Sequence, residues 1–355
     1  MSRFHSLKIK DIQQETAECV SLAFEVPESL REEFSFLPGQ HLTLKTMLDG
    51  EDVRRNYSLC SCPSENEWRI AIKKIPCGKF STYANEQLKV GDSIEVMPPI
   101  GKFTCKTDPA QAKHYLAFAA GSGITPVMSI LKAVLKNEPE SLFTLFYINQ
   151  RTDTIIFKEE LENLKNLYLQ RFSLHHILTK EDTGSDLLSG RPTPEKIRQL
   201  AKTLFDLEDV DEYYICGPEE MIHGIKDTLQ ELGVDKDRIH YELFTTGQNT
   251  TDRPKWTAPA DAVAAKITIT IDGNTFTFDQ SSPEKTILDA AHETGADLPF
   301  ACKGGVCCTC KAKLLKGEAE MEVNYGLEPE EVEKGYILTC QAHPKTSEVV
   351  LSFDE

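Results

Sequence analysis

What the chain lacks bounds it first. It has no apolar run long enough to cross a membrane: its longest uncharged stretch, Tyr115 to Leu131, is short and carries Gly, Ser, Thr and Pro in its middle, so it reads as buried strand, loop and helix. The opening "MSRFHSLKIKDIQQET" has no apolar segment of the kind an export signal needs, so a cytoplasmic location and no membrane partner are expected. Basic residues are in deficit, 39 Lys and Arg against 56 Asp and Glu, and the formal net charge of −17 would repel nucleic acid. There is no internal repeat and no low-complexity tract.

What is present is a chain of 355 residues, too long for one ordinary core, with 40% hydrophobic and 27% charged residues. From residue 1 to about 108, short alternating segments such as "HLTLKTM", "WRIAIKKI" and "SIEVMPP" are divided by Gly, Pro and Asn, the rhythm of an antiparallel β-barrel. Over 109–246 the period changes. Buried strands ("HYLAFAA", "LFTLFYIN", "DEYYICG") alternate with helices ("TPVMSILKAVLKN", "IIFKEELENLKN", "EEMIHGIKDTLQELG"), which predicts an α/β domain on a parallel sheet. Residues 247–265 have no apolar period and two prolines, as a linker would. From 266 to 355 a hairpin turning at Asp272-Gly273 precedes a helix stopped by Gly295, and a run of cysteines follows at once.

Cys302, Cys307 and Cys310 follow a C-x4-C-x2-C spacing, with Cys340 beyond a gap of twenty-nine residues. Zinc sites usually show two C-x2-C knuckles, and only one is present here, whereas plant-type [2Fe-2S] sites use this spacing with a distant fourth cysteine. A loop carrying three thiolates must curl around the metals with its amides turned to the sulfurs. Gly304 and Gly305 are the residues expected to allow positive φ. Cys308 does not fit the spacing and reads as a bystander; a structural zinc site and unligated thiols remain the alternatives.

A cluster that moves single electrons needs a converter from the hydride of a nicotinamide, and flavin is the usual one. Gly121, Ser122 and Gly123 stand between a buried strand and a helix, where exposed N–H groups and the helix dipole suit a pyrophosphate. Cys216, Gly217 and Pro218 end a second strand that could open on the same crevice. In the first domain Arg55, Tyr57 and Ser58 supply a diphosphate-binding guanidinium, a ring able to flank an isoalloxazine and a hydroxyl for a ring nitrogen. Lys73, Gly78, Ser81 and Thr82 form a second candidate phosphate loop.

Together, Arg-x-Tyr-Ser at Arg55–Ser58, Gly-x-x-Ser at Gly78–Ser81, Gly-Ser-Gly-Ile-Thr-Pro at Gly121–Pro126 and Cys-Gly-Pro at Cys216–Pro218 resemble the ferredoxin-NADP reductase superfamily. The domain order resembles oxygenase reductase components that end in a plant-type ferredoxin. That resemblance implies FAD on a barrel, a nicotinamide domain and a β-grasp (α+β) ferredoxin domain. It implies that Arg55 holds the FAD diphosphate, that Tyr57 packs on the flavin and that Ser58 bonds near N5. Ile72 and Lys73 would line the ribityl and phosphate path, with Gly78, Ser81 and Thr82 at the diphosphate. Gly121, Ser122, Gly123, Thr125 and Pro126 would cradle the dinucleotide, with Thr125 and Cys216 near the nicotinamide, while Phe244 covers the flavin and moves aside for hydride transfer; a strand-end core role is the alternative for Phe244.

Arg151, after the second parallel strand, favours NADPH through its 2′-phosphate, while Asp153 keeps NADH in contention. Residues 266–355 hold eight lysines, no arginine and sixteen acids, a net −8. Such a surface should dock on a basic patch of a terminal oxygenase component. A fatty-acyl desaturase or a hybrid-cluster protein would be served by the same domain order, and a pure electron-carrier or redox-sensing module is the reading of another class.

Overall fold

A computed structural model of the chain describes residues 4–244 and 264–355. Two compact units emerge, one of Phe4–Val53 with Tyr57–Phe244, the other built on the C-terminal region, with which the middle of one strand of the first, Arg54–Asn56, groups. The expected linker at 247–265 lies outside the described residues except at its end, where Ala265 already opens a strand.

The larger unit begins with strands β1 (His5–Thr16), β2 (Cys19–Glu25), β3 (His41–Leu48), β4 (Glu51–Ser58) and β5 (Trp68–Lys73), then helix α1 (Lys79–Glu86) and strand β6 (Ser93–Val96). They form one sheet in the order β4-β3-β6-β1-β2-β5. A bridge between Leu59 and Ile70 ties the chain just past β4 to the other edge strand, β5, so the sheet curls on itself as a barrel. Leu22, Phe34, Leu42, Ile70 and Val96 fill its interior.

The same unit continues with β7 (His114–Ala120), α2 (Ile124–Asn137), β8 (Leu142–Asn149), α3 (Lys158–Leu167), β9 (Phe172–Leu178), α4 (Pro194–Thr203), β10 (Glu212–Gly217), α5 (Glu219–Glu231) and β11 (Ile239–Leu243). These strands pair in parallel in the order β11-β10-β7-β8-β9. The chain therefore builds outward from β7 on one side and returns to its other side with β10. In an open α/β sheet that reversal opens a crevice beyond the carboxyl ends of the two central strands.

The smaller unit holds β12 (Ala265–Ile271), β13 (Asn274–Gln280), α6 (Ile287–Glu293), β14 (Lys311–Lys316), β15 (Ala319–Met321), α7 (Pro329–Glu333), β16 (Tyr336–Leu338), β17 (Ala342–Pro344) and β18 (Glu348–Ser352). Its main sheet, β13-β12-β18-β14-β16, is mixed: β12 and β18 run parallel and the other pairs antiparallel. Asp272 and Gly273 take φ of 50° and 71°, the left-handed pair that a tight hairpin turn demands. Among the described residues no helix is long and apolar enough to cross a membrane.

Candidate functional site

Strand β4 carries Arg55 and Tyr57 at alternate positions, so both lie on one face, with Ser58 on the other. Arg55 is exposed, and its guanidinium donates to the carbonyl of Arg54 at 2.7 Å. Tyr57 packs its ring 5.5 Å from that of Phe80 in α1, which brings the strand to the helix that Gly78 opens. A side chain on Gly78 would collide with Ile75 and with the Ser81 hydroxyl, at 2.4 and 2.5 Å. Ser81 accepts from the amide of Ile75 and donates to the carbonyl of Gly78, which closes the turn before α1. Thr82 is half-buried on the same first turn. The ammonium of Lys73 lies 3.9 Å from where a side chain on Gly121 would begin.

The side chain of Ile72 is fully buried in the barrel core, and its carbonyl accepts from Asn85 at 3.0 Å.

The two glycine motifs of the parallel sheet meet. Cys216 stands beside Ala119 in the ladder of β10 and β7. A Cβ on Gly123 would lie 2.3 Å from the carbonyl oxygen of Cys216, and one on Gly217 would strike Ala120 and Met221, so neither position tolerates a side chain. Gly121 takes φ of 52°, and its carbonyl accepts from the Tyr147 hydroxyl at 3.0 Å. Thr125, in the first turn of α2 beside Pro126, donates to the carbonyl of Ser122 at 3.0 Å. Pro218 precedes α5 as its N-cap. Gly121–Pro126 and Cys216–Pro218 thus flank one crevice at the switch point, the place where open α/β sheets generally bind their ligands.

Glu242 is the site residue that sequence reasoning missed. It is paired with Cys216 across β10 and β11, its Oε2 accepts from Ser58 Oγ at 3.2 Å, and its Oε1 lies 3.8 Å from Nδ1 of the buried His41. Burial first, and then this carboxylate, push the Cys216 thiol well above its ordinary range, so it stays protonated. The only signal in the sequence is its place two residues before Phe244; Phe244 directly follows β11 and is 36% exposed, so it is not a core residue.

Arg151 follows β8 and is held by Asp153 through two contacts of 3.1 and 3.0 Å, so the two residues that pointed to opposite cofactors hold one another. They line a groove of about 1160 Å³ together with Lys158 and Lys180, whose side chains have no hydrogen bond or ion pair of their own among the described residues.

In the smaller unit the cysteines associate two by two. Hydrogen bonding to Cys307, joined by the amides of Gly304, Val306 and Cys307 and opposed by burial, brings the Cys302 thiol down to about 5. Hydrogen bonding to Cys310 likewise lowers Cys340. The Gly304 amide reaches the Cys302 sulfur at 3.2 Å, as a loop wrapped around metal-bound sulfur requires. Gly304 itself does not take positive φ. Lys303 and Gly305 do, at 47° and 78°, and a side chain on Gly305 would press on Val323 at 3.0 Å. Cys308 turns away and donates to the carbonyl of Gly326 at 3.0 Å. Among the described residues no group of three or more His, Cys, Asp or Glu is arranged for a single ion. Two thiol pairs suit two irons, one pair each, and that donor set fits a [2Fe-2S] cluster better than a mononuclear zinc.

The oxidoreductase FAD-binding domain family matches residues 6–105, the oxidoreductase NAD-binding domain family residues 118–227 and the 2Fe-2S iron-sulfur cluster binding domain family residues 269–345. With this site they define a ferredoxin-reductase-type NAD(P)H oxidoreductase whose cofactors are FAD, a nicotinamide and a [2Fe-2S] cluster. The chain belongs to the reductase components of oxygenases. It is 44% identical to the E component of the 1,2-phenylacetyl-CoA epoxidase of Escherichia coli (strain K12), over 100% of this chain and 99% of that protein. It is 34% identical to the ferredoxin reductase component of the 3-ketosteroid-9-alpha-monooxygenase of Rhodococcus rhodochrous, over 99% and 97%. The fold matches that of phthalate dioxygenase reductase with a TM-score of 0.57 at 22% identity, covering 99% of this chain and 98% of the other.

Proposed function

We propose that the chain carries electrons from NADPH, by way of FAD and the [2Fe-2S] cluster, to the oxygenase of a phenylacetyl-CoA epoxidase in the cytoplasmic degradation of phenylacetate. The observation that carries this is the end-to-end 44% identity to the E component of such an epoxidase. The stretches "CKGGVCCTCKAKLLKGEAEM" and "GYILTCQAHP" around the four cysteines support it. That all the cysteines are unbridged agrees with a reducing compartment.

The chemistry supplied by bound FAD and cluster is the splitting of a hydride into single electrons. The protein's part is placement. Arg55 and the Gly78–Thr82 turn hold diphosphate, Tyr57 supplies an apolar wall and Ser58 offers a hydroxyl beside the reacting ring, backed by Glu242 as a proton acceptor. Gly121–Pro126 seat the dinucleotide, the neutral Cys216 thiol lies beneath its nicotinamide end and Phe244 shields the flavin until the nicotinamide arrives. Lys180 and Lys158 supply cations for a 2′-phosphate that Arg151, engaged with Asp153, supplies less well, which supports NADPH over NADH.

The partner would be an oxygenase component with a basic docking patch, complementary to the net −8 of residues 266–355. The test is reconstitution: purified chain, NADPH and the epoxidase's oxygenase subunits should epoxidise phenylacetyl-CoA, at a rate that falls as salt rises. Electron delivery that is equally slow to every oxygenase offered would defeat the assignment. The ketosteroid-type relative at 34% identity favours a second reading, service to a different oxygenase, which the same assay with that oxygenase decides.

A further inference from the structure

Helix α2 starts at the glycine turn and then runs along the chain segment that follows β4. Three of its side chains, spaced i, i+3 and i+7, reach that segment. Ser129 donates to the carbonyl of Ser61 at 2.6 Å, Lys132 lies 3.6 Å from Oε2 of Glu65, and Lys136 lies 2.8 Å from Oε1 of the same carboxylate. Glu65 also accepts from the amide of Cys62 at 2.9 Å. Lys132 is only 7% exposed and is shared with Glu160 of α3 at 2.5 Å. A lysine buried this deeply costs desolvation that only well-placed carboxylates offset, so the contact tolerates little displacement.

Glu65, Lys132 and Glu160 stand in the wall of the groove that Lys158 and Lys180 also line, but unlike those two lysines they are already taken up by one another and by Lys136. What they join is informative. The Ser61–Glu65 segment follows Ser58 by a few residues, and Lys132 stands nine residues along the chain from Gly123, about 13 Å along a helix axis. The two chain segments held together are therefore the bearer of the hydroxyl beside the flavin and the bearer of the dinucleotide turn.

We propose that Glu65, with Lys132 and Lys136, is a positioning residue that sets the register of the nicotinamide-binding turn against the flavin-binding strand; this rests on the reading of Ser58 and Gly121–Pro126 given above. Hydride transfer requires the two rings at near-contact distance, and a displacement of about 1 Å costs up to ~100-fold in rate. An ionic clamp whose charges are already matched within the protein holds that distance without lending its own groups to either ring.

The test uses the full-length holoprotein with Glu65→Gln and Lys132→Met. Each should keep its FAD and bind NADPH within about two-fold of the parent, yet reduce its flavin about ten-fold more slowly, with a weakened long-wavelength charge-transfer band in the reduced complex with NADP⁺. The double variant should be no slower than the slower single one. In cofactor-stripped protein, alkylation of Cys62, which is buried under the contact, should accelerate in both variants. Variants that retain FAD, the full band, the parental rate and a protected Cys62 would overturn the proposal. Should Glu65→Gln fail to fold, Lys136→Met, at a site 34% exposed, gives the same comparison, and an unchanged band there is equally decisive against it. A parent protein that binds no FAD would defeat the flavin-site reading instead, before the clamp is at issue.

Discussion

Ser58 and Glu242, 184 positions apart in the chain, share a hydrogen bond of 3.2 Å between a barrel strand and the edge strand of the parallel sheet. The contact orients the hydroxyl with its lone pairs turned away from the carboxylate and gives any proton passed to Ser58 a place to go. Ser58→Ala should retain FAD but slow flavin reduction by NADPH on the order of 100-fold, read by stopped-flow absorbance. Glu242→Gln should do the same more mildly, because an amide oxygen can still accept from the hydroxyl.

Gly123 faces the backbone of Cys216, not a side chain that could move aside. Gly123→Ala should therefore destabilise the larger unit by about 3 kcal/mol, measured by urea denaturation, and weaken dinucleotide binding with it. Gly233→Ala is the contrast: nothing lies within 4 Å of its Cβ position, so only its φ of 92° opposes the change.

The paired thiols separate ligand from bystander. Cys310→Ser should abolish the [2Fe-2S] absorbance and the cytochrome c reduction that passes through the cluster, while ferricyanide reduction by the flavin persists. Cys308→Ser should keep the cluster spectrum, since its sulfur donates to the carbonyls of Gly326 and Val306 and it falls outside the ligand spacing.

Cofactor choice should follow the unpaired cations. Lys180→Ala is expected to lower kcat/KM for NADPH about ten-fold with little effect on NADH, as the loss of one charge-assisted contact to phosphate would. Arg151→Ala should matter less, because Asp153 already neutralises that guanidinium. An equal loss with both nucleotides would place the 2′-phosphate elsewhere.

Burial lowers the pKa of His114, His175 and His176, on β7 and β9, below the ordinary 6.5. The unfolded chain then binds more protons than the folded one once pH drops below that value. The stability these histidines contribute is complete above about pH 6.5 and is lost as pH falls through their lowered values. Urea midpoints at about pH 7.5 and about pH 5.5 should differ in favour of the former, and His176→Asn should narrow the difference.

The strands and helices were legible because each follows a local rule. "AKITITIDGNTFTFDQ" alternates about Asp272-Gly273, and Gly78, Gly121 and Gly295 stand where turns and helix ends need them. The cluster ligands were legible because their spacing is itself the geometry. Glu242 and Lys180 were not, since a carboxylate on one strand or a cation after another acquires its role only when β10 and β11, or β8 and β9, are side by side. Lys303 was hidden for a different reason: the left-handed residue falls one place ahead of the glycine pair expected to supply it, and Gly304 instead lends its amide to Cys302.

The division of the thiols into a near pair and a far pair ties the cluster site to the folding of the smaller unit. Cys302 and Cys307 share one short loop, whereas Cys310 meets Cys340 only across β14, β15, α7 and β16, so the four thiols that would hold the cluster stand together only when that whole stretch is folded. Complete cluster insertion therefore certifies that this stretch of chain has found its place, and iron limitation should expose misfolded protein to proteolysis rather than leave an intact but colourless reductase.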